Sequence, residues 1–161
     1  MGLRTARAVA FVGCALLAGC GFHLKAAARL SPGYQNLFLD THDPHSDLNG
    51  ALVAALGESG AVLRPLRGDG AVLEIARDES GRRVMSVSVR NVPTEYEVYY
   101  NVTYRVIADG RDAVPPTELT GSRVISYAES AQLAKEQEEA IIREALARDL
   151  AERIVQRLSA L

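Results

Sequence analysis

The sequence predicts an α+β fold: a two-layer sandwich of two helices on a sheet of four or slightly more strands, mostly antiparallel or mixed. Residues 95–108 alternate between apolar and polar side chains over about 14 positions, which is typical of a long strand with one covered face. Residues 130–159 repeat apolar side chains at the spacing of an amphipathic helix. Most strand segments lie between the two helical segments, which gives the order β-α-β-β-β-β-α.

The first elements follow from caps and breakers. Residues 36–41 form a short apolar strand. A helix is predicted over residues 46–59, because Ser46 is a favourable N-cap and Gly60 a favourable stop. Its apolar face would consist of Leu48, Leu52, Val53 and Leu56. Residues 61–66 then form a short strand or edge element, which Pro65 interrupts.

The middle of the chain is divided by turn residues. Residues 71–77 alternate loosely and are predicted to end in a turn at residues 78–81, which read DESG. A separate strand follows over residues 85–89, where valine and methionine alternate with serine. Residues 91–93 (NVP) form the next turn and lead into the long strand.

The long strand has two contrasting faces. Its apolar face consists of Tyr96, Val98, Tyr100, Val102, Tyr104 and Val106. Its other face is rich in hydrogen-bonding groups and includes Glu95, Glu97, Tyr99, Asn101 and Thr103. The Glu95/Glu97 pair suits a rim or partner contact as well as acid–base chemistry. After a turn at residues 109–110, Pro115 and Pro116 are predicted to precede a last strand near residues 119–127.

The C-terminal helix has a continuous apolar stripe, which indicates that one side packs on the sheet. The stripe consists of Ile142, Leu146, Leu150, Ile154 and Leu158, widened by Ala145, Ala147, Ala151 and Val155. Acids precede bases by four residues in three pairs, which would lie on the solvent face and contribute about 0.2–0.5 kcal/mol each. These pairs are Glu139–Arg143, Glu144–Arg148 and Asp149–Arg153.

The N-terminus has the features of an export signal. Arg4 and Arg7 precede an apolar run over residues 8–17. This run is too short for a membrane span, which needs about 20 residues, but it fits a secretory signal. Residues 17–20 read LAGC, a bacterial lipobox. We therefore expect cleavage before Cys20 and attachment of acyl chains, palmitate among them, to that residue.

The predicted organisation is a removed signal peptide at residues 1–19, the lipidated Cys20 with its tether at residues 20–34, and a single domain at residues 35–161. Gly21, in place of an aspartate, favours the outer membrane, with the body on its periplasmic side. Cys14 lies within the removed segment, so the mature chain would have a single acylated cysteine and no disulfide.

Charge and composition exclude a nucleic-acid-coating protein. The chain has 18 basic and 20 acidic side chains, a formal net charge of −2. Removal of the signal peptide takes away two arginines and no acid, which lowers the formal net charge to −4. Such a mildly acidic body is not expected to bind nucleic acid.

No motif indicates catalysis, a cofactor or a metal centre. His42 and His45 lie among aspartates in the segment DTHDPHSD, but without the ligand spacing of a known metal site. The sequence contains no nucleophile motif and no phosphate-binding glycine loop. We therefore expect a protein that is not an enzyme. A periplasmic metal-binding or hydrolytic protein centred on these histidines stays as an alternative.

Basic side chains offer the candidate ligand-binding residues. Arg82, Arg83 and Arg90 flank residues 85–89 with no acid between them. Lys135, one of two lysines in the chain, lies near the start of the long helix. An arginine beside apolar strand residues can bind a phosphate in a bidentate manner. The alternative interpretation is that these are ordinary surface charges.

Several of these motifs together resemble the LptE (RlpB) family of LPS-assembly lipoproteins. The segment CGFHL after the lipobox is similar to the start of mature members. The arginine-bearing turn from Val89 to Asn91 and the Glu95-Tyr96 strand start resemble the hairpin of the family. The segment LAKEQE at residues 133–138, followed by IIRE at residues 141–144, resembles its C-terminal helix.

The resemblance implies a non-catalytic α/β sandwich that acts as plug and scaffold for the outer-membrane β-barrel that inserts LPS. The implied partners are an LptD-type barrel in a 1:1 complex, LPS itself, and the inner leaflet of the outer membrane through the lipid anchor. Matched position by position, Arg90 and Lys135 correspond to LPS-binding residues of the family. The NVP turn after Arg90 departs from the glycine turn of relatives. An auxiliary lipoprotein of another envelope lipid-transport system is the main alternative.

Overall fold

The computed structural model describes residues 29–65, 68, 70–126 and 132–161, and in the last range side chains from residue 136 onward. The strands are β1 (Asn36–Thr41), β2 (Val62–Leu63), β3 (Ala71–Val87), β4 (Pro93–Ala108) and β5 (Arg111–Ser126). The helices are α1 (Asp47–Glu58) and α2 (Gln132–Ser159), and a 3-10 turn (Pro32–Tyr34) precedes β1. The signal peptide, Cys20 and the tether up to residue 28 lie outside the described residues.

The strands form one mixed five-stranded sheet in the order β2-β1-β3-β4-β5. β1 pairs in parallel with β2 and with β3, whereas β3–β4 and β4–β5 are antiparallel. β1 pairs only with residues 71–75 of β3, so the sheet narrows to three strands beyond that point. β5 ends where Ser126 pairs with Glu95, and beyond this pair the β3–β4 hairpin continues as two strands. The predicted α+β class and element order are confirmed.

Both helices pack on the same face of the sheet. The predicted cap is confirmed, because Ser46 Oγ accepts a hydrogen bond from the Asn49 N–H at 3.0 Å. The core lies between the helices and one face of the sheet, to which β4 contributes five side chains. On the helices it consists of Leu48, Leu52, Leu56, Ile142, Leu146, Leu150, Ile154 and Leu158. On β4 it consists of Val98, Tyr100, Val102, Tyr104 and Val106. The predicted stripe of α2 and the apolar face of β4 are therefore confirmed. On α1, Leu48, Leu52 and Leu56 are buried as predicted, but Val53 is 44% exposed.

The close approach of α2 to the sheet depends on a glycine. Gly121 of β5 faces α2, and a Cβ atom there would lie 3.2 Å from Leu146 Cδ2. That separation is tighter than ordinary van der Waals contact, so a side chain at this position would displace the helix or Leu146. The glycine thus lets α2 lie directly on the strands.

The predicted turn at residues 78–81 is wrong, because β3 runs without interruption from Ala71 to Val87. Its turn-forming residues are kept in the strand by tertiary contacts. Asp78 accepts a hydrogen bond from the Tyr100 hydroxyl at 2.7 Å. A Cβ atom on Gly81 would lie 2.6 Å from Tyr99 Oη, so the glycine makes room for that ring. Tertiary packing here overrides local turn preference.

The last strand also begins earlier than predicted, at Arg111 instead of after Pro115 and Pro116. The two prolines lie where the pairing with β4 is irregular, between Val114 opposite Val106 and Thr117 opposite Tyr104. β5 is the edge of the sheet, where a missing N–H donor is tolerated. At the opposite edge, the strand predicted at residues 61–66 is reduced to β2.

The charge pairs of α2 are only partly as predicted. Arg148 lies 3.7 Å from Glu144, and Arg153 lies 2.6 Å from Asp149, as the spacing indicated. The pair Glu139–Arg143 is replaced by contacts to other elements: Glu139 pairs with Arg82 of β3, and Arg143 lies 3.7 Å from Asp47 of α1. No helix in the described ranges has both the length and the apolarity needed to cross a membrane.

Candidate functional site: the hairpin end and the open sheet face

The β3–β4 hairpin extends beyond the layer of helices and carries Arg90 at its end. The turn is closed by two backbone hydrogen bonds, from Ser88 N–H to Val92 O at 2.7 Å and from Asn91 N–H to Ser88 O at 2.9 Å. Asn91 has a φ of 60°, a left-handed conformation that asparagine tolerates. Ser88 Oγ accepts from the Arg90 N–H at 3.3 Å. Arg90 is exposed at this end, as predicted for a strand tip.

Lys135 lies at the same end of the molecule as Arg90. It is in the first turn of α2, about 6 Å along the helix axis from Glu139. Glu139 contacts Arg82 of β3, and the strand continues about 16 Å from Arg82 to Val87. The hairpin end therefore extends past the start of α2. Measured from the Arg82–Glu139 contact toward this end of the molecule, residue 135 comes first and Arg90 lies farther out. The Lys135 side chain is outside the described residues.

The base of the hairpin is joined to α2 by Arg82. Its guanidinium donates to Glu139 Oε1 at 2.7 Å and lies 5.5 Å from the centroid of the Tyr96 ring. Glu139 is only 9% exposed, so this carboxylate is held in a largely desolvated contact. Cation–π attraction and the ion pair together orient Arg82 across the start of the helix.

The Arg83 side chain lies on the opposite face of the sheet, which no described helix covers. We call this surface the open face. It pairs with Glu97 of β4, a residue that lies directly opposite in the strand register. Hydrogen bonds from Ser122 and from Arg83 hold the pKa of the Glu97 carboxyl below its ordinary value. Glu97 is buried even though it lies on this open face, because its neighbours surround it.

The open face continues along β3, β4 and β5 as a lattice of complementary charges. Arg77 pairs with Glu79 and lies 3.7 Å from Glu118. Arg105 donates to Glu74 at 2.7 Å, and this contact raises the pKa of the arginine. A shallow depression of about 330 Å³ lies between the Arg77–Glu79 pair and the Arg83–Glu97 pair. Its lining includes Arg77, Arg83, Glu97, Tyr99, Asn101 and Thr120.

On the helix face, a hydrogen-bonded chain positions α1. The Tyr100 hydroxyl donates to Asp78 Oδ1 at 2.7 Å and accepts from the Leu48 N–H at 3.3 Å. Burial, followed by the hydrogen bond to Asp78, raises the pKa of Tyr100. The side chain therefore stays protonated and links the first turn of α1 to β3.

The histidine segment has no metal-site geometry in the structure. His42 and His45 are exposed, and the His45 N–H donates to Asp43 Oδ1 at 2.9 Å in the turn before α1. Among the described residues, no three histidine, cysteine, aspartate or glutamate side chains come together in a way that could hold a metal ion. The segment acts as the N-terminal approach to a capped helix.

Sequence reasoning identified the basic residues but missed their partners. The sequence has no acid between Arg82 and Arg90, but in the fold Glu139 pairs with Arg82 and Glu97 pairs with Arg83. The Arg83–Glu97 pair could be found by counting antiparallel register outward from the NVP turn, allowing for the β3 bulges. The Arg82–Glu139 pair depends on how α2 crosses the sheet, and no local pattern encodes it.

The fold defines a class of protein: an α+β domain with a helical layer on one side, an open polar sheet on the other, and a protruding basic hairpin. The chain belongs to the LptE lipopolysaccharide-assembly family, whose model matches residues 34–158. Membership assigns the chain to lipopolysaccharide assembly and to the envelope lipoproteins.

Two relatives support this membership. The LPS-assembly lipoprotein LptE of Yersinia enterocolitica is 28% identical over 143 residues, which cover 88% of this chain and 69% of the relative. The LPS-assembly lipoprotein LptE of Pectobacterium atrosepticum is 28% identical over 145 residues, which cover 89% of this chain and 78% of the relative.

Solved structures show the same fold. A minor lipoprotein from Acinetobacter baumannii superposes with a TM-score of 0.67 at 24% identity, covering 79% of this chain and 92% of that structure. A lipoprotein B from Nitrosomonas europaea superposes with a TM-score of 0.71 at 19% identity, covering 87% of this chain and 91% of that structure. Sheet and helices thus persist while most side chains differ.

The contacts of Glu97 predict how stability depends on pH. Its folded-state pKa lies below the ordinary value of 4.5, so its contribution to stability is fully present above 4.5 and is lost as pH falls through the lowered pKa. Glu97→Gln should therefore lower the free energy of unfolding near neutral pH, and the difference from wild type should shrink in acid. Urea unfolding over a pH series measures both.

Ser122→Ala provides the matched variant. It removes the largest cause of the shift, so the pKa of Glu97, followed by NMR, should rise toward its ordinary value. A stability difference between wild type and Glu97→Gln that is the same at neutral and acid pH would contradict this account.

Proposed function

We propose that the chain is an outer-membrane lipoprotein that binds LPS and docks to the β-barrel that inserts it, without catalysing a reaction. The observation that supports this most is the β3–β4 hairpin, which presents Arg90 beyond the helical layer in a chain of the LPS-assembly family. Lys135 lies at the same end of the molecule. Phosphate groups on a lipid are ligands that arginine and lysine side chains recognise.

The proposed anchor is the acylated Cys20 in the inner leaflet of the outer membrane, with the body in the periplasm. The tether enters the fold where the Leu30 N–H donates to Ser59 O, next to the start of β1. This entry point is at the opposite end of β3 from the hairpin turn. Because β3 has 17 residues, the two ends are about 50 Å apart. The LPS-binding residues would therefore lie far from the attachment point of the tether.

LPS recognition is proposed to depend on Arg90 and Lys135. Arginine can hold a phosphate through two parallel hydrogen bonds, whereas lysine acts as a compact point charge. Arg90 at the hairpin end and Lys135 near the start of α2 could bind separate anionic groups of one glycolipid. Arg82 and Arg83 are already engaged by Glu139 and Glu97, so we assign them to holding the hairpin base.

The open sheet face is proposed to contact the inner wall of an LptD-type barrel in a 1:1 complex. The inner wall of an outer-membrane barrel is polar, so a partner within it needs a hydrogen-bonding surface and not an apolar one. The lattice from Arg77 to Glu97 has these groups, and its ion pairs satisfy most of the charges internally. Such a surface can dock while leaving few charges unpaired.

The barrel complex predicts a specific crosslinking pattern in intact cells. A photo-crosslinking amino acid at Thr120, exposed on the open face, should form an adduct with a large outer-membrane barrel. The same residue at Val53, exposed on the helical side, should not. Native purification in mild detergent should recover the barrel and the chain in equal amounts.

A chain that purifies only as a free monomer would refute the complex. Adducts from Val53 and not from Thr120 would place the barrel on the helical side instead. Recovery of a barrel from a different lipid-transport system would support the alternative function.

Charge reversal tests the LPS-binding residues. Arg90→Glu and Lys135→Glu should each weaken binding of the full-length protein to LPS by roughly tenfold or more, because each removes a charged hydrogen bond and adds repulsion. Arg111→Glu is the matched control, since Arg111 is an exposed arginine at the β4–β5 turn at the other end of the sheet. Binding is measured by titration with purified LPS, and circular dichroism checks folding.

Unchanged affinity in both charge-reversal variants would remove the site assignment and leave the barrel contact standing. An equal loss in the Arg111 control would show that general charge, and not the hairpin end, determines binding.

A further inference from the structure

The end of the β3–β4 hairpin exposes a cluster of apolar side chains that the proposed phosphate contacts do not use. Val84, Met85 and Val87 are each about half exposed, Val92 is 37% exposed, and Val89 is fully exposed. In the described part of the chain ten large apolar side chains are exposed, and five of them lie in residues 84–92. Single exposed apolar residues are common on protein surfaces, but such a concentration marks an interaction site.

The hairpin keeps this conformation without burying its valines. Backbone hydrogen bonds of Ser88 with Val92 and Asn91 close the turn, and Ser88 Oγ accepts from two further N–H groups. Ser86 Oγ donates to Glu95 at 2.8 Å and fixes the strand below the turn. The apolar side chains are therefore not needed for local order, and they are available to a ligand.

Charge around the cluster selects the kind of ligand. Residues 82–94 contain three arginines, of which Arg82 and Arg83 pair with Glu139 and Glu97. The third, Arg90, lies next to the valines in the sequence. A cation surrounded by apolar side chains is complementary to an amphiphile that has an anionic head group next to acyl chains. A wholly polar saccharide would leave the valines in water, and a wholly apolar ligand would make no use of the positive charge of Arg90.

The position of the cluster distinguishes between two sources of such a lipid. The tether joins the fold at the far end of β3, about 50 Å from the hairpin turn along the strand. If β3 is oriented perpendicular to the membrane, the phospholipid leaflet that holds the anchor would lie near that far end. A glycolipid delivered to the hairpin end fits the geometry better than the anchoring leaflet.

We propose that Val84, Met85, Val87, Val89 and Val92 form an acyl-chain contact, so that the hairpin end binds the fatty-acid chains of LPS while Arg90 binds an adjacent phosphate. This inference rests on the proposed LPS-binding function and adds its apolar half. The chain would then recognise LPS as an amphiphile at one hairpin and not only as an anion.

The test compares LPS with its fully deacylated form, which keeps the phosphates and the sugars. In the full-length protein, Val87→Ser combined with Val89→Ser should weaken LPS binding about tenfold, because two apolar contacts are lost. Binding of the deacylated form should change less than twofold. Arg90→Ala should weaken both ligands. Val53→Ser is the matched control, since Val53 is exposed on α1 away from the hairpin.

A second readout identifies the ligand in cells. A photo-crosslinking amino acid at Val89 should form adducts that stain as LPS, and the same residue at Val53 should not. Adducts from Val89 with phospholipid alone, or with a protein alone, would overturn the inference in favour of a membrane or protein contact.

The two proposals fail in distinguishable ways. If the double serine variant binds LPS as tightly as wild type while Arg90→Ala weakens binding, the acyl contact is overturned and the phosphate contact stands. If wild type shows no affinity for LPS and no LPS adducts at Val89, the proposed function and this inference are both overturned.

Discussion

Backbone hydrogen bonds between β3 and β4 extend from the Val72–Ile107 pair, near the start of β3, to the Val87–Pro93 pair at the free end, and the other features depend on this ladder. Its inner half pairs with β1 and supports both helices. Toward the free end of the ladder, first β1, then α2 and finally β5 no longer lie beside it in the described part of the chain. The β3–β4 pair thus connects the hydrophobic core to the exposed hairpin end. Because the same two strands are held by the core, their direction determines where Arg90 lies.

The two faces of this ladder have separate tasks because strand side chains alternate. On one face, Val98, Val102 and Val106 are buried beneath the helices, and Gly121 lets α2 approach closely. On the other face, charged side chains form ion pairs within and between strands, among them Arg83–Glu97 and Arg105–Glu74. Even the buried Glu97 carboxylate has partners on this face, because it accepts hydrogen bonds from Ser122 and Arg83. The open face is therefore ordered before any partner binds, which lowers the entropic cost of docking.

Much of the core was predictable from the sequence, since it depends on periodicity. The alternation of Tyr96 to Val106 predicted the buried face of β4, and the stripe from Ile142 to Leu158 predicted the contact face of α2. The segment DESG misled because turn preference is local, whereas Tyr99 over Gly81 and Tyr100 with Asp78 are contacts across strands. The prolines of β5 misled for a related reason, since an edge strand tolerates them.

The candidate site was less predictable than the core. Arg90 was identifiable because it lies in a turn beside valines, and its exposure follows from the hairpin. The roles of Arg82 and Arg83 were not identifiable, because their partners are 57 and 14 residues away in sequence. How far the hairpin extends past the helices also depends on where α2 crosses the sheet, which periodicity does not determine.

Hydrogen exchange of the full-length protein with and without LPS tests the central claim most directly, because it reports on every backbone amide without a substitution. The claim is that the β3–β4 hairpin end is the LPS contact. LPS should slow exchange at residues 84–92 and around Lys135 and leave the turn at Asp109 and Gly110 unchanged. Slower exchange at that opposite turn or in α1, with residues 84–92 unaffected, would contradict the account.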